Sequence, residues 1–311
     1  MTTSTIDIST PRSRSRFALS RSGRETVTGY AFMLLWLIGF FTLTVGPIIT
    51  SFYLSFTDYD LFTSADFVGL KNYTRMLTSD IHYQNSVRVT LIYVLWSVPL
   101  GLAVALAVAM VLNRGVRGIS VYRSIFYVPS LLGGSVAVAV VWRQVFDRTG
   151  MLNTFLATFG FDDLPNWIAH PDYALATIIL LHLWQFGSAM VIFLAGLRHI
   201  PVEYYEAAAI DGAGRVRSFF NVTLPLLSPI ILFNLVMGTI SAFQAFAPAY
   251  VITKGGPGDA TLLYGLEVYR EGFQHFRMGY ASALAWMLVA MVAALTALTF
   301  WSAKYWVHFD E

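Results

Sequence analysis

Long apolar runs separated by short polar segments set the pattern of this chain. Six windows, about 31–57, 88–112, 122–142, 173–197, 228–252 and 279–303, stay apolar long enough to cross a hydrocarbon layer of roughly 30 Å as helices. None of them alternates apolar with polar residues, which excludes a transmembrane β-barrel. The pattern predicts an all-α, polytopic membrane protein with six transmembrane helices, spanning residues 29–311. Between the fourth and fifth spans it also predicts a short helix. Pro201 suits a first helical turn, where its missing N–H is no loss, and Gly212 suits the left-handed residue that ends a helix. On that helix Glu203, Glu206, Ala207 and Ile210 share one face. A second short helix is expected at about 215–223, closed by Leu224 and Pro225.

Composition agrees with the pattern. Hydrophobic residues make up 56% of the 311 and charged residues 12%, a balance outside the soluble range. No cysteine is present, so there is no disulfide framework and no thiolate or Cys-ligated metal chemistry, and the redox compartment stays unread. Residues 1–28 are rich in Ser and Arg and read as a disordered basic cytoplasmic tail. The apolar run that follows is longer than a signal-peptide core and is expected to be retained. With the N-terminus inside, twelve Lys and Arg fall on inner segments, led by Arg12, Arg14, Arg16, Arg21 and Arg24, against eight on the longer outer ones. Both termini are then cytoplasmic, and so is the loop at about 201–225.

Two acids on one face are poor ligands for an anionic leaflet, so that loop reads as a protein-docking element rather than an interfacial helix. Its residues also carry a resemblance. Glu206-Ala207-Ala208, then Gly212, then Val222 and Leu224-Pro225 resemble the signature loop of the membrane subunits of binding-protein-dependent ABC importers, with Val222 in the place of the usual Ile. FVGLKNY at 67–73, YRSIFYVPSLLGG at 122–134 and the stretch TKGGPGDATLLYGLEVYREGF at 253–273 are similar to the carbohydrate-uptake branch, whose members resemble maltose permease F and glycerol-3-phosphate permease A. The resemblance implies a permease subunit of a bacterial plasma-membrane importer of a sugar or polyol phosphate. It further implies a second homologous permease, two ATPase subunits, an extracellular solute-binding protein, and ATP with Mg on the ATPase. Glu203, Glu206, Ala207, Ala208, Ile210 and Gly212 would form the coupling helix that docks in the ATPase. No nucleic-acid partner is expected.

This chain contains no G-x-x-x-x-G-K-[ST], so nucleotide chemistry must lie on another subunit, and no cofactor is expected here. An ion-coupled secondary transporter is the alternative. The interiors of the expected spans, inside Arg88 and Arg123 at two of their ends, hold no Asp, Glu, Lys or Arg and only one histidine, His182, which weakens a proton-driven version and leaves sodium coupling open. His182 and Ser188 lie six residues apart and share no helical face, so intramembrane hydrolysis is disfavoured and His182 reads as a helix-packing residue. On the fifth span Asn234, Gly238, Ser241, Ala245 and Pro248 form a stripe with Gln244 at its edge. Close helix packing and the wall of a substrate path both fit that stripe, with Phe243, Phe246 or Tyr250 offering ring faces in the second case. Trp184 and Gln185 on the fourth span are further path candidates. The outer loop at Gly255, Gly256 and Pro257 fits an external gate, a binding-protein contact or a simple turn.

Overall fold

The computed structural model describes residues 21–113 and 118–308. Residues 1–20 of the expected tail, and Arg114 and Arg117 of the inner charge count, lie outside the described residues. From Arg21 the chain is helical.

The chain divides into two units. The first, ending at Ser51, holds α1 (Arg21–Phe40), a π-helical turn at Phe41–Val45 and most of α2 (Gly46–Leu54). Its apolar stretch runs from Thr28 to Leu54, at the first expected span, and Phe32, Leu35 and Trp36 are exposed within the chain as on a lipid-facing helix.

The second unit, Phe52–Glu311, opens with an antiparallel ribbon pairing Thr57 with Phe67, then α3 (Lys71–Thr78) and α4 (Ile81–Asn113). At 33 residues α4 is about 50 Å long, and it begins seven residues before the expected second span. The hydropathy window missed that start because its first turns are polar, His82, Gln84 and Asn85 among them. Around α4 pack α8 (Pro171–Trp184), α9 (Gly187–His199), α13 (Ser228–Phe243) and α14 (Tyr264–Tyr269). One apolar cluster centres on Tyr93, Val98, Ile178 and Leu262; a second centres on Ala105, Ala109, Met190 and Leu227. The last span is α15 (Met278–Ala303).

The third, fourth and fifth spans depart from the straight helices expected. The third is α5 (Ile119–Leu132) followed by α6 (Val136–Val145), with a bend of 97°. Gly133 and Gly134 interrupt the helix there, and Ser135 caps the next one by accepting from Val138 N–H. After the short α7 (Met151–Ala157), the fourth span bends by 44° between α8 and α9, at Gln185 and Phe186. The fifth ends as a helix at Phe243 and resumes at Ala247, with Pro248 in the new first turn, where its missing N–H is no loss, before a π-turn at Ala249–Thr253. Three helices are long and apolar enough to cross a membrane alone; counting once each of the bent pairs, α5 with α6, α8 with α9, and residues 215–226 with α13 (bent by 67° at residue 227), gives six spans among the described residues.

Candidate functional site: a cavity where three broken helices meet

The three interruptions converge. A cavity of about 410 Å³ is lined by Gly133, Gly134 and Ser135 from the first break, Gln185 from the second, and Gln244 through Pro248 from the third. Tyr93, His182 and Ser241 complete its polar lining. Irregular backbone is tolerated at membrane depth only where it is buried in protein or faces a wet cavity, and three breaks round one space are what such a cavity needs.

Specific contacts hold the breaks open. The Ser130 hydroxyl donates to Gln185 C=O at 2.8 Å and accepts from Ser188 N–H at 3.0 Å, pairing backbone groups that the α8–α9 break frees. Gly187 lets α5 approach: a Cβ there would sit 2.6 Å from the Phe126 carbonyl oxygen. Gly133 makes room for the Gln185 side chain, whose Cγ and Cδ would lie 2.2 Å from an added Cβ. The amide that faces the cavity thus depends on a glycine in another span.

A second cavity, of about 450 Å³, shares His182, Gln185 and Ser241 with the first and adds Ser130, Ser188, Asn234 and Gly238. Neither lining contains Asp, Glu, Lys or Arg among the described residues. Amides, hydroxyls and one imidazole are a lining for neutral hydrogen-bonding groups such as hydroxyls.

The path candidates separate on this geometry. Ser241, Gln244 and Gln185 line the first cavity. Asn234 lines the second but is 6% exposed and donates to the Ile230 carbonyl of its own helix. Gly238 packs on Val98, where a Cβ would meet the side chain at 3.3 Å, so the stripe combines packing with lining. Its expected continuation to Pro248 on one helix fails because the helix stops first. Trp184 turns away onto Trp142, and Tyr250 stacks on Phe246 with centroids 5.3 Å apart; neither borders the cavities. His182, read from sequence as a packing residue, borders both cavities, with Nδ1 3.4 Å from the Tyr93 hydroxyl. Sequence reasoning missed Gly133, Gly134, Ser135 and Ser130, although a Gly-Gly-Ser run inside an apolar window is a breaker signal.

At the far end of α9 lies α10 (Val202–Ile210), beginning after Pro201. Gly212 follows at φ +75°, with its N–H on Ala209 C=O and the Ala213 N–H on Ala208 C=O, the paired bonds of a Schellman cap. Glu203, Glu206, Ala207 and Ile210 are exposed, Ala208 is half-buried, and Glu203 and Glu206 form no ion pair among the described residues. Ile210 is 86% exposed, an apolar side chain left uncovered by the described residues. The next helix, α11 (Arg215–Ser218), continues through a π-turn at Phe219–Thr223 into α12 (Leu224–Leu226) rather than stopping at Pro225, which its place in the first turn of α12 allows. The chain instead turns at Leu227, where Ser228 Oγ donates to Pro225 C=O and accepts from His308 N–H.

On the opposite side, the loop after span five is tied down by Asp259, which pairs with Arg270 at 2.9 Å and His82 Nδ1 at 3.0 Å. Behind it Glu267 is buried, and burial together with the Glu271 and Asp80 carboxylates raises its pKa to about 7.

This arrangement has known counterparts. Residues 86–308 match the family model of binding-protein-dependent transport system inner membrane components. The chain belongs to that family. A probable ABC transporter permease of Bacillus subtilis, YesP, is 51% identical over 295 residues, covering 94% of this chain and 96% of its own. The sn-glycerol-3-phosphate transport system permease UgpA of Brucella abortus is 34% identical, covering 85% and 90%. The fold is shared with a bacterial ABC transporter involved in the import of alginate, with a TM-score of 0.76 at 19% identity over 90% of this chain and 96% of that one. The protein is therefore a multi-pass ABC permease subunit and not an enzyme, so the His182–Ser188 pair has no hydrolytic role. Nothing in these comparisons supports the ion-coupled alternative.

Proposed function

We propose that this permease passes a sugar or polyol phosphate through the cavity where the three helix breaks meet. The observation that carries the reading is the convergence of Gln185, Ser241 and Gln244 on one space bounded by irregular backbone. Amide and hydroxyl groups there match the hydrogen-bonding capacity of sugar hydroxyls. Named relatives support the substrate class, UgpA being a glycerol-3-phosphate permease by name. The full machine comprises a second homologous permease, two ATPase subunits that bind ATP and Mg, and an extracellular binding protein. Both termini face the cytoplasm of a bacterial cell, and α10 docks on the ATPase through Glu203, Glu206, Ala207, Ala208 and Ile210, turned by Gly212. ATP-driven closure of the ATPases moves α10, and the bent spans open the cavity alternately to either side.

The test begins with the cognate binding protein, whose ligand is the carbohydrate that raises its melting temperature. Each hydrogen bond from Gln185, Ser241 or Gln244 is expected to contribute about 1 kcal/mol, roughly fivefold in apparent affinity. Single alanine substitutions should therefore lower uptake of that solute per assembled complex by about that factor, or shift preference among sugars. Unchanged uptake and preference in all three would reject the path assignment.

A further inference from the structure

A continuous series of aromatic rings leads out of the first cavity on the side away from α10. It starts at Phe246, which borders the cavity. Tyr250, on the π-turn at Ala249–Thr253, stacks on Phe246 with centroids 5.3 Å and planes 17° apart. Tyr269, at the end of α14, meets both of them, at 5.1 Å and 5.2 Å. Phe273, on the π-turn Arg270–Gln274 that follows, stacks on Tyr269 at 5.5 Å and 24°. Exposure rises along the series. Phe246 and Tyr269 are half-buried against the apolar cluster around Tyr93 and Leu262, whereas Phe273 is 62% exposed. Gly265 brings the two halves of the series together, because a Cβ there would lie 3.2 Å from the Ala245 carbonyl oxygen and 3.5 Å from Phe246 Cβ. The outer end sits among charges: Glu271, beside Phe273 on the same π-turn, pairs with His275 at 2.9 Å and Arg277 at 3.2 Å, and both cations are about half exposed. Rings that run from a polar cavity to water-facing charges line a wet route rather than a lipid-facing belt.

We infer that Phe246, Tyr250, Tyr269 and Phe273 form an entry subsite, where the transported carbohydrate rests its C–H surface on the rings before the cavity amides take its hydroxyls. This rests on the path assignment above and extends it outward. The division of labour follows from the chemistry of the solute. A carbohydrate unit is amphipathic, with hydroxyls round its rim and C–H groups across its faces, and an aromatic face matches the second of these. Contact of that kind is non-directional, so a solute can pass from one ring to the next without exchanging a full set of hydrogen bonds at each step. Hydrogen bonds fix orientation, and those donors and acceptors lie further in, at Gln185, Ser241 and Gln244. Tyr269 and Phe273 lie in the stretch that resembles the carbohydrate branch as a whole. The series therefore does not choose among solutes; it serves the C–H surface that all of them present.

The experiment uses proteoliposomes holding the complete transporter, with its binding protein added outside. The probe is the tritiated form of the carbohydrate that raises the binding protein's melting temperature. Tyr269→Leu and Phe273→Leu keep apolar bulk and remove a ring, while Phe273→Tyr keeps the ring. At saturating loaded binding protein, each leucine variant should lower uptake per assembled complex about threefold, the scale of one aromatic contact, and Phe273→Tyr should retain most of it. The concentration of loaded binding protein that gives half-maximal uptake should not move. A rise in that concentration with the maximal rate preserved would make the rings a docking surface for the binding protein and overturn the inference. Undiminished uptake per complex in both leucine variants would overturn it too, and a smaller amount of assembled complex alongside would assign the rings to packing against a partner chain or lipid. Loss in Phe273→Tyr equal to that in Phe273→Leu would show that the ring face is not what acts. Failure here is distinct from failure of the path. If Gln185→Ala and Ser241→Ala impair uptake while the leucine variants do not, the path stands and the entry subsite falls; if none impairs uptake, the path itself falls.

Discussion

At the scale of single residues, the site depends on atoms that are missing as much as on atoms present. Gln185 faces the cavity because Gly133, in a different span, lacks the Cβ that would lie 2.2 Å from its Cγ and Cδ. Side-chain carbons are movable, so Gly133→Ala should displace the Gln185 amide and leave the backbone in place. The expected result is a fall in uptake per assembled complex of about fivefold, similar to that of Gln185→Ala. The two changes combined should be no worse than either alone, because both remove the same amide from the cavity. Additive losses in that double variant would show that Gly133 acts by another route. Gln185 was visible in the sequence as a candidate, being a polar residue at an apolar depth. Its dependence on Gly133 was not, since 52 positions of chain hide a contact that only the packing of two bent spans creates.

At the scale of elements, hydropathy located the spans but not their shape. A window average records how apolar a segment is, so it sees α5 with α6 as one run and is blind to Gly133-Gly134-Ser135 inside it. The breaker residues were present at all three places, as Gly133 with Gly134, Gly187, and Pro248. What the sequence does not show is that the breaks lie at one place in space. The helix between spans four and five was more legible because its signals are local: Pro201 before it, Gly212 after it, and the acids on one face between them. Gly212 sits at φ +75° with nothing within 4 Å of an added Cβ, so a substitution there is resisted by backbone conformation and not by crowding. Gly212→Val should unwind the Schellman cap, with a cost on the order of 1–2 kcal/mol, and misdirect Ile210 and Glu206. ATP-driven uptake should fall severely while the protein still inserts, as fractionation and uptake together would record; normal uptake would sink the coupling assignment.

At the scale of the whole molecule, α4 acts as the mast against which the bent spans pack, and the two ends of those spans carry different elements. One end carries α10 with its exposed Ile210, and the other carries the loop fixed by Asp259, Arg270 and His82. The cavity lies between, at the breaks, so the transport cycle proposed above would concentrate its motion where the backbone is already irregular. The most direct measurement of this account uses the absence of native cysteine, which makes a single introduced thiol free of background. Ser135→Cys places a thiol on the cavity wall, and Phe155→Cys places one on the exposed face of α7 as a control. Each variant is labelled to completion with a bulky maleimide, and uptake of the binding protein's own ligand is measured per assembled complex. A cavity of about 410 Å³ cannot hold both the adduct and a sugar, so labelling at position 135 should abolish uptake and labelling at position 155 should leave it intact. Full uptake through a transporter labelled at position 135 would contradict the claim that the substrate passes where the three helices break.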